Sequence, residues 1–172
     1  MKKILIILIF TFFSFQATSQ IAINNYKYCN SHKFTFLLLK VYDVYLCADK
    51  KEYFSAEKIF KTNFSVIINY DMNFDKEELS ISSIEEISRY YQKDEKTLKN
   101  YYNQLMQIFP NVKKTDWIEA KFNKQGSVNF YHNNRFSGKI KDPEFSEIFL
   151  NIWLHKNNKY QKMIKDLYEQ NF

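Results

Sequence analysis

The residues from which this chain could build chemistry are three histidines, two cysteines and a scatter of serines and carboxylates. His32, His132 and His155 lie far apart and fall on different predicted elements. A metal site needs several such ligands converging on one point, and nothing in the spacing brings these together with carboxylates. No metal is expected. Serines occur near histidines in places, but the Gly-x-Ser-x-Gly elbow that exposes a nucleophile is missing. Glu85 and Glu86 are neighbours, and adjacent positions do not share a helix face, so a catalytic carboxylate pair is unsupported. Cys29 and Cys47 have no histidine at metal-ligand spacing. Loops that cradle phosphate need several glycines, and the chain has only 2 Gly in 172 residues. No cofactor is expected. Trp117 and Trp153 read as core anchors rather than binding platforms.

The start of the chain addresses the compartment. Lys2 and Lys3 are followed by an apolar run over residues 4–15, and then by the small residues Ala17, Thr18 and Ser19. This is the three-part pattern of a secretory leader. The run is shorter than the roughly 20 residues that span a bilayer, so a leader over residues 1–19 is expected, with one domain over residues 20–172. A periplasmic or secreted location follows. No second long apolar stretch occurs, so no integral membrane segment is expected after removal of the leader. The formal charge is +6, or +4 without Lys2 and Lys3, and it is spread along the chain without a Lys/Arg stripe. Nucleic acid is therefore a poor partner. Aromatic residues make up 19%, with 17 Phe and 13 Tyr, enough for a large core. Nothing in the pattern sets an oligomeric state.

The elements that must position any site are readable in order. Residues 34–47 are rich in aliphatic, aromatic and β-branched side chains on both alternating faces. That predicts a central strand covered on both sides, with room for a bulge. A strand over residues 34–46 alone would span about 40 Å at roughly 3.3 Å per residue. A disulfide needs Cα atoms within about 7 Å. An oxidising compartment permits a Cys29–Cys47 bond, but this reading leans against one, because the strand would have to bend back sharply. Residues 55–61 suggest a short helix capped by Ser55, and residues 64–70 a second buried strand. Asp75 is placed as a helix N-cap, with Glu77 and Glu78 in the first turn. Asp94 marks a break before a second helix that Pro110 ends. Three strands follow over residues 117–122, 127–132 and 135–140. They are joined by a turn carrying Gly126 and by the two-residue turn Asn133-Asn134. Asp142-Pro143 opens a helix, and Tyr160, Met163, Ile164 and Leu167 mark a last amphipathic one. Strands, helices, a meander and more helices predict an α+β fold, an antiparallel β-sheet with helices packed on one face.

Three segments together resemble one family. Lys40-Val41-Tyr42-Asp43-Val44-Tyr45-Leu46 is similar to a core strand of the bacterial chalcone-isomerase-like proteins. Phe109-Pro110-Asn111-Val112-Lys113-Lys114-Thr115-Asp116 resembles their link into the meander. Asn134-Arg135-Phe136-Ser137-Gly138, followed by the helix over residues 145–154, resembles their turn and apolar helix. The resemblance covers roughly residues 34–167. It implies the chalcone-isomerase-like open-faced sandwich, with an apolar cleft between sheet and helices.

The superfamily's plant enzymes cyclise a chalcone, and their site stabilises an anionic intermediate with an Arg, a Tyr, an Asn and hydroxyl side chains. This sequence departs from that set. The Gly-x-Gly-x-Arg stretch falls near residues 29–33, where there is no Gly and no Arg, though Lys33 offers a charge without the guanidinium fork. The strand Thr falls at Lys40, the Tyr near Phe74, the Asn near Ile81 and the helix Ser or Thr near Ile152. No catalytic residue is assigned. Other superfamily members bind fatty acids, with an Arg and a Tyr on the carboxylate. The candidate ligand contacts here are Lys33, Lys40, Tyr42 and Arg89. Each has a plainer reading. Lys40 can lay its stem on apolar surface with its head in water, Tyr42 can be core filling, and Arg89 can lie on a solvated helix face. Three functions are weighed. The first is a non-catalytic binder of a fatty acid or other apolar ligand. The second is an interaction protein whose cleft is filled by its own Phe and Tyr. The third is an enzyme using Lys33 or Lys40 in an unusual site.

Overall fold

The computed structural model describes residues 22–169. The expected leader lies outside the described residues. Six strands form one antiparallel sheet in sequence order: β1 (Tyr28–Phe36), β2 (Leu39–Ala48), β3 (Phe64–Tyr70), β4 (Trp117–Asn123), β5 (Ser127–His132) and β6 (Arg135–Ile140). Four helices, α1 (Lys76–Tyr90), α2 (Glu95–Ile108), α3 (Pro143–Leu154) and α4 (Gln161–Tyr168), cover one face. This is the predicted α+β sandwich.

Strand alternation builds the core. Val44, Leu46 and Ala48 of β2, Phe64, Val66 and Ile68 of β3, and Ile118, Ala120 and Phe122 of β4 all point at the helices and are buried. On the opposite face Cys47, Ile67 and Trp117 form a smaller buried cluster, with Ile23, Tyr26, Cys29 and Tyr45 packed on it. That face also holds a buried carboxylate. Glu119 accepts hydrogen bonds from the Ser65 hydroxyl at 2.8 Å and from the Tyr26 hydroxyl.

The helix starts are where the sequence places them. Asp75 caps α1 by accepting from the Glu78 N–H, and the Glu78 side chain returns a bond to the Asp75 N–H, a reciprocal capping box. Asp94 caps α2 and Asp142 caps α3 ahead of Pro143. Gly138 of β6 has a steric reason. A Cβ there would sit 2.7 Å from Ile108 Cγ1, so its absence lets α2 settle on the sheet. Gly126 takes φ of 88° in its turn, as expected.

The predicted central strand is the main correction. Residues 28–48 are a hairpin, and β1 is the edge of the sheet. The chain reverses at Leu37 and Leu38, which take φ of 47° and 69°. That reversal sets Cys29 opposite Cys47, with Cα atoms 4.1 Å apart and a disulfide between them. The two-residue turn went unread because left-handed positions call for Gly or Asn, and here both are Leu. Residues 55–61 also differ. They form no capped α-helix, and the region closes instead as 3-10 turns at Lys51–Tyr53 and Ile59–Lys61 without side-chain caps.

Candidate functional site

One end of the sheet–helix interface is closed and the other is hollow. At the closed end, Phe60, Phe64 and Phe122 pack ring against ring, with centroids 5.0–5.5 Å apart. At the other, the backbone of α1 comes closest to α2 and α3. It stands off the strands with small side chains, Ser82 and Ser83, turned to the space beneath. The result is a cleft of about 580 Å³. Its floor is Val66, Ile68, Ile118, Ala120 and Phe130, and its helix side includes Leu79, Phe149 and Ile152. The volume lies within the usual range of small-molecule sites, roughly 300–1,000 Å³.

Polar groups gather at the β1 edge of the cleft. Tyr42 stacks on Phe34 with ring centroids 4.8 Å apart, and Phe34 meets Tyr160 edge to face. The Tyr42 hydroxyl accepts a long hydrogen bond from Trp153 Nε1 at 3.4 Å. Burial lifts the Tyr42 phenol well above its ordinary value. The Trp153 N–H opposes this, and nearby Tyr160 and Glu86 add to it. Burial, and then Tyr42 beside it, does the same to Tyr70. Both phenols therefore stay protonated near neutral pH and can donate a hydrogen bond into the hollow. At the rim, Glu86 Oε1 accepts from Arg89 Nε at 3.1 Å and from Lys159 Nζ at 2.9 Å. One carboxylate faces two cations. Neutral donors inside, and two cations at a rim they share with Glu85 and Glu86, suit an apolar ligand with a polar head that can draw Arg89 and Lys159 away from their carboxylates.

The four predicted contacts separate into two pairs. Tyr42 and Arg89 line the cleft. Lys33 does not. It is exposed on β1, in a second, more open depression beside α4, where Asp166 accepts from His32 and Lys162. Lys40 also lies outside, held between Asp43 at 2.6 Å and Asp71 at 2.5 Å. Those carboxylates raise its pKa above the ordinary lysine value. Phe74 and Ile152, where the resemblance sets a Tyr and a hydroxyl residue, line the cleft as apolar surface. Ile81 is exposed and does not line it. The sequence reading missed Glu86 and Lys159 as a rim pair. Trp153, expected as a core anchor, does pack on the core against Phe149, with ring centroids 5.5 Å apart, and its half-buried ring also forms part of the cleft wall. Among the described residues no group of three or more His, Cys, Asp and Glu could hold a metal. Nor is any helix among them long and apolar enough to cross a membrane.

The model of the chalcone isomerase-like family matches residues 33–167. This chain belongs to the chalcone isomerase-like family. No curated protein matches its sequence. Among solved structures, this chalcone isomerase-like chain is similar to a fatty-acid binding protein from Arabidopsis thaliana. The two share 10% identity over 80% of this chain and 84% of the plant protein, with a TM-score of 0.54. At that identity the likeness is one of fold. In this chalcone isomerase-like chain, the cleft is the space between the six strands and the helix layer.

Proposed function

We propose that this protein is exported and binds a fatty acid or a similar apolar ligand in the sheet–helix cleft, without catalysing a reaction on it. The observation that carries this reading is the apolar cleft of about 580 Å³, which ends at phenol donors and at Arg89 and Lys159 beside Glu85 and Glu86. The apolar chain of the ligand lies over Val66, Ile68, Ile118 and Ala120. Its head group meets Tyr42, Arg89 and Lys159. The name of the plant structural neighbour, a fatty-acid binding protein, supports the ligand class. The leader pattern and the Cys29–Cys47 bond support export, since disulfides persist in oxidising compartments. A flavonoid isomerase would need fixed donors aimed at a developing oxyanion. Apolar Phe74 and Ile152, and Lys33 outside the cleft, argue against that chemistry. A core closed by its own Phe and Tyr would leave no hollow of this size.

The test is native mass spectrometry of protein purified from an exporting host, followed by lipid extraction. The expected result is a mature chain starting near Gln20, with a discrete added mass that extracts as a fatty acid. A bare mass with no uptake of added fatty acids overturns the binding reading. Retention of residues 1–19 on the exported protein overturns the leader.

A further inference from the structure

The β1–β2 hairpin ends in Phe36-Leu37-Leu38-Leu39, and all four side chains are exposed. Leu37 is 80% exposed and Leu38 100%. Their φ values of 47° and 69° recur at Asn133 and Asn134, the tip of the β5–β6 hairpin. The chain thus builds one turn geometry twice. At β5–β6 it uses Asn, which tolerates the left-handed region. At β1–β2 it uses Leu, which that region disfavours and water does not solvate. Leu38 gains no packing in return, because none of the described residues covers it.

The tip is continuous with the cleft. Phe36 and Val41, on either side of it, both line the hollow, and Phe36 is also 60% exposed. The Asp71 N–H bonds the Val41 carbonyl at 2.9 Å, and the next residue, Met72, is exposed. The nearest charges are Lys40 and its two partners, Asp43 and Asp71, which sum to one negative charge and offer a bilayer no cationic patch.

We propose that this four-residue tip inserts into a lipid surface and sets the mouth of the cleft against it. On the binding reading above, an apolar ligand then passes between bilayer and cleft without crossing water. A lipid surface fits better than a second copy of the chain. A stable dimer buries on the order of 800 Å² per partner against a matching surface, and a convex tip of four side chains offers far less. A fluid bilayer needs no matching concavity. Because the local charges give no attraction to lipid phosphate, attachment is apolar in origin and survives salt.

The experiment compares the wild type with the double variant Leu37→Asn/Leu38→Gly, which keeps a left-handed two-residue turn. Its melting temperature is expected to be unchanged or higher, so loss of fold does not confound the result. The wild type is expected to float with phosphatidylcholine vesicles, with little change on adding phosphatidylglycerol or salt. The variant is expected to bind them about tenfold more weakly or worse. Its affinity for fatty acid in vesicle-free solution stays that of the wild type, because Leu37 and Leu38 do not line the cleft. Transfer of a fluorescent fatty acid from vesicles into the protein slows in proportion. A wild type that stays off vesicles of both compositions overturns the proposal, as does a variant that floats equally well. So does a concentration-dependent dimer that the variant abolishes while neither protein floats. A wild type that floats through Leu37 and Leu38 yet takes up no fatty acid upholds the lipid contact and removes the binding reading alone.

Discussion

Glu86 holds two cations on one oxygen, and this decides what the rim of the cleft offers a ligand. A ligand carboxylate competes with it for Arg89 and Lys159. Glu86→Gln frees both and removes a like charge, so affinity for a fatty acid rises. Arg89→Ala lowers it. Exposed pairs are worth about 0.2–1 kcal/mol each, so changes of about 1.4-fold to fivefold are expected by calorimetry. Methyl esters of the same chain length should not respond to either variant. If they respond equally, the rim acts through packing rather than charge. Lys40→Ala should leave ligand affinity untouched. It should cost about 1 kcal/mol or less of stability by leaving Asp43 and Asp71 facing each other, read as a small drop in urea midpoint. Lys40 also shows where residue-level reading stops. It is two positions from Tyr42, so strict alternation would give both the same face. The register of β1 against β2 slips here, pairing Phe34 with Tyr42 but Thr35 with Lys40. Val41 is the extra residue. A bulge reverses the side on which everything beyond it falls, and Lys40 joins Asp43 instead. Spacing alone does not encode that slip.

At the scale of elements, what was legible had local causes. Asp75, Asp94 and Asp142 each cap a helix through a side-chain oxygen, a bond that needs only neighbours in sequence. Asn133-Asn134 makes its turn by intrinsic preference. The β1–β2 turn has no such signature, so β1 went unread, and the Cys29–Cys47 bond looked geometrically unfavourable for want of that reversal. Contacts between distant elements were hidden too, even where the element itself was expected. The end of α4 is tied to β1 by Asn30 Nδ2, which donates to the Leu167 carbonyl at 3.0 Å, a contact 137 residues apart in sequence. The hairpin leads to a prediction of its own. Cys29 and Cys47 are 18 residues apart, and closing a loop near that length stabilises by about 3 kcal/mol on the chain-entropy account. For a domain of this size each kcal/mol moves the melting temperature by about 2–4 °C. Cys29→Ala/Cys47→Ala, or reduction of the wild type, should therefore lower it by about 6–12 °C. A drop of a degree or less in scanning calorimetry would mean that the hairpin register, not the bond, holds β1 at the edge.

For the molecule as a whole, the hollow lies where α1 comes closest to α2 and α3 and leaves space over the strands. Aromatic-rich composition was compatible with a filled or an open interior, since periodicity tells which face a side chain takes and not whether the layers close on each other. Ala120 separates the two. It lies on β4, 4% exposed, and forms part of the floor. In a closed core, Ala120→Leu would overpack and cost about 1–3 kcal/mol. Over an open cleft the added carbons find space and bury apolar surface, so stability should hold or rise by up to about 2 kcal/mol. The same substitution shortens the room for a ligand. In the wild type, each two added methylenes should tighten fatty-acid binding by about tenfold until the space is full. In Ala120→Leu that climb should stop at a shorter chain. Melting curves and a chain-length series on the two proteins read both effects. A destabilised variant whose chain-length limit does not move would return the molecule to a packed interior, and the cleft would then be an opening that ligands do not enter.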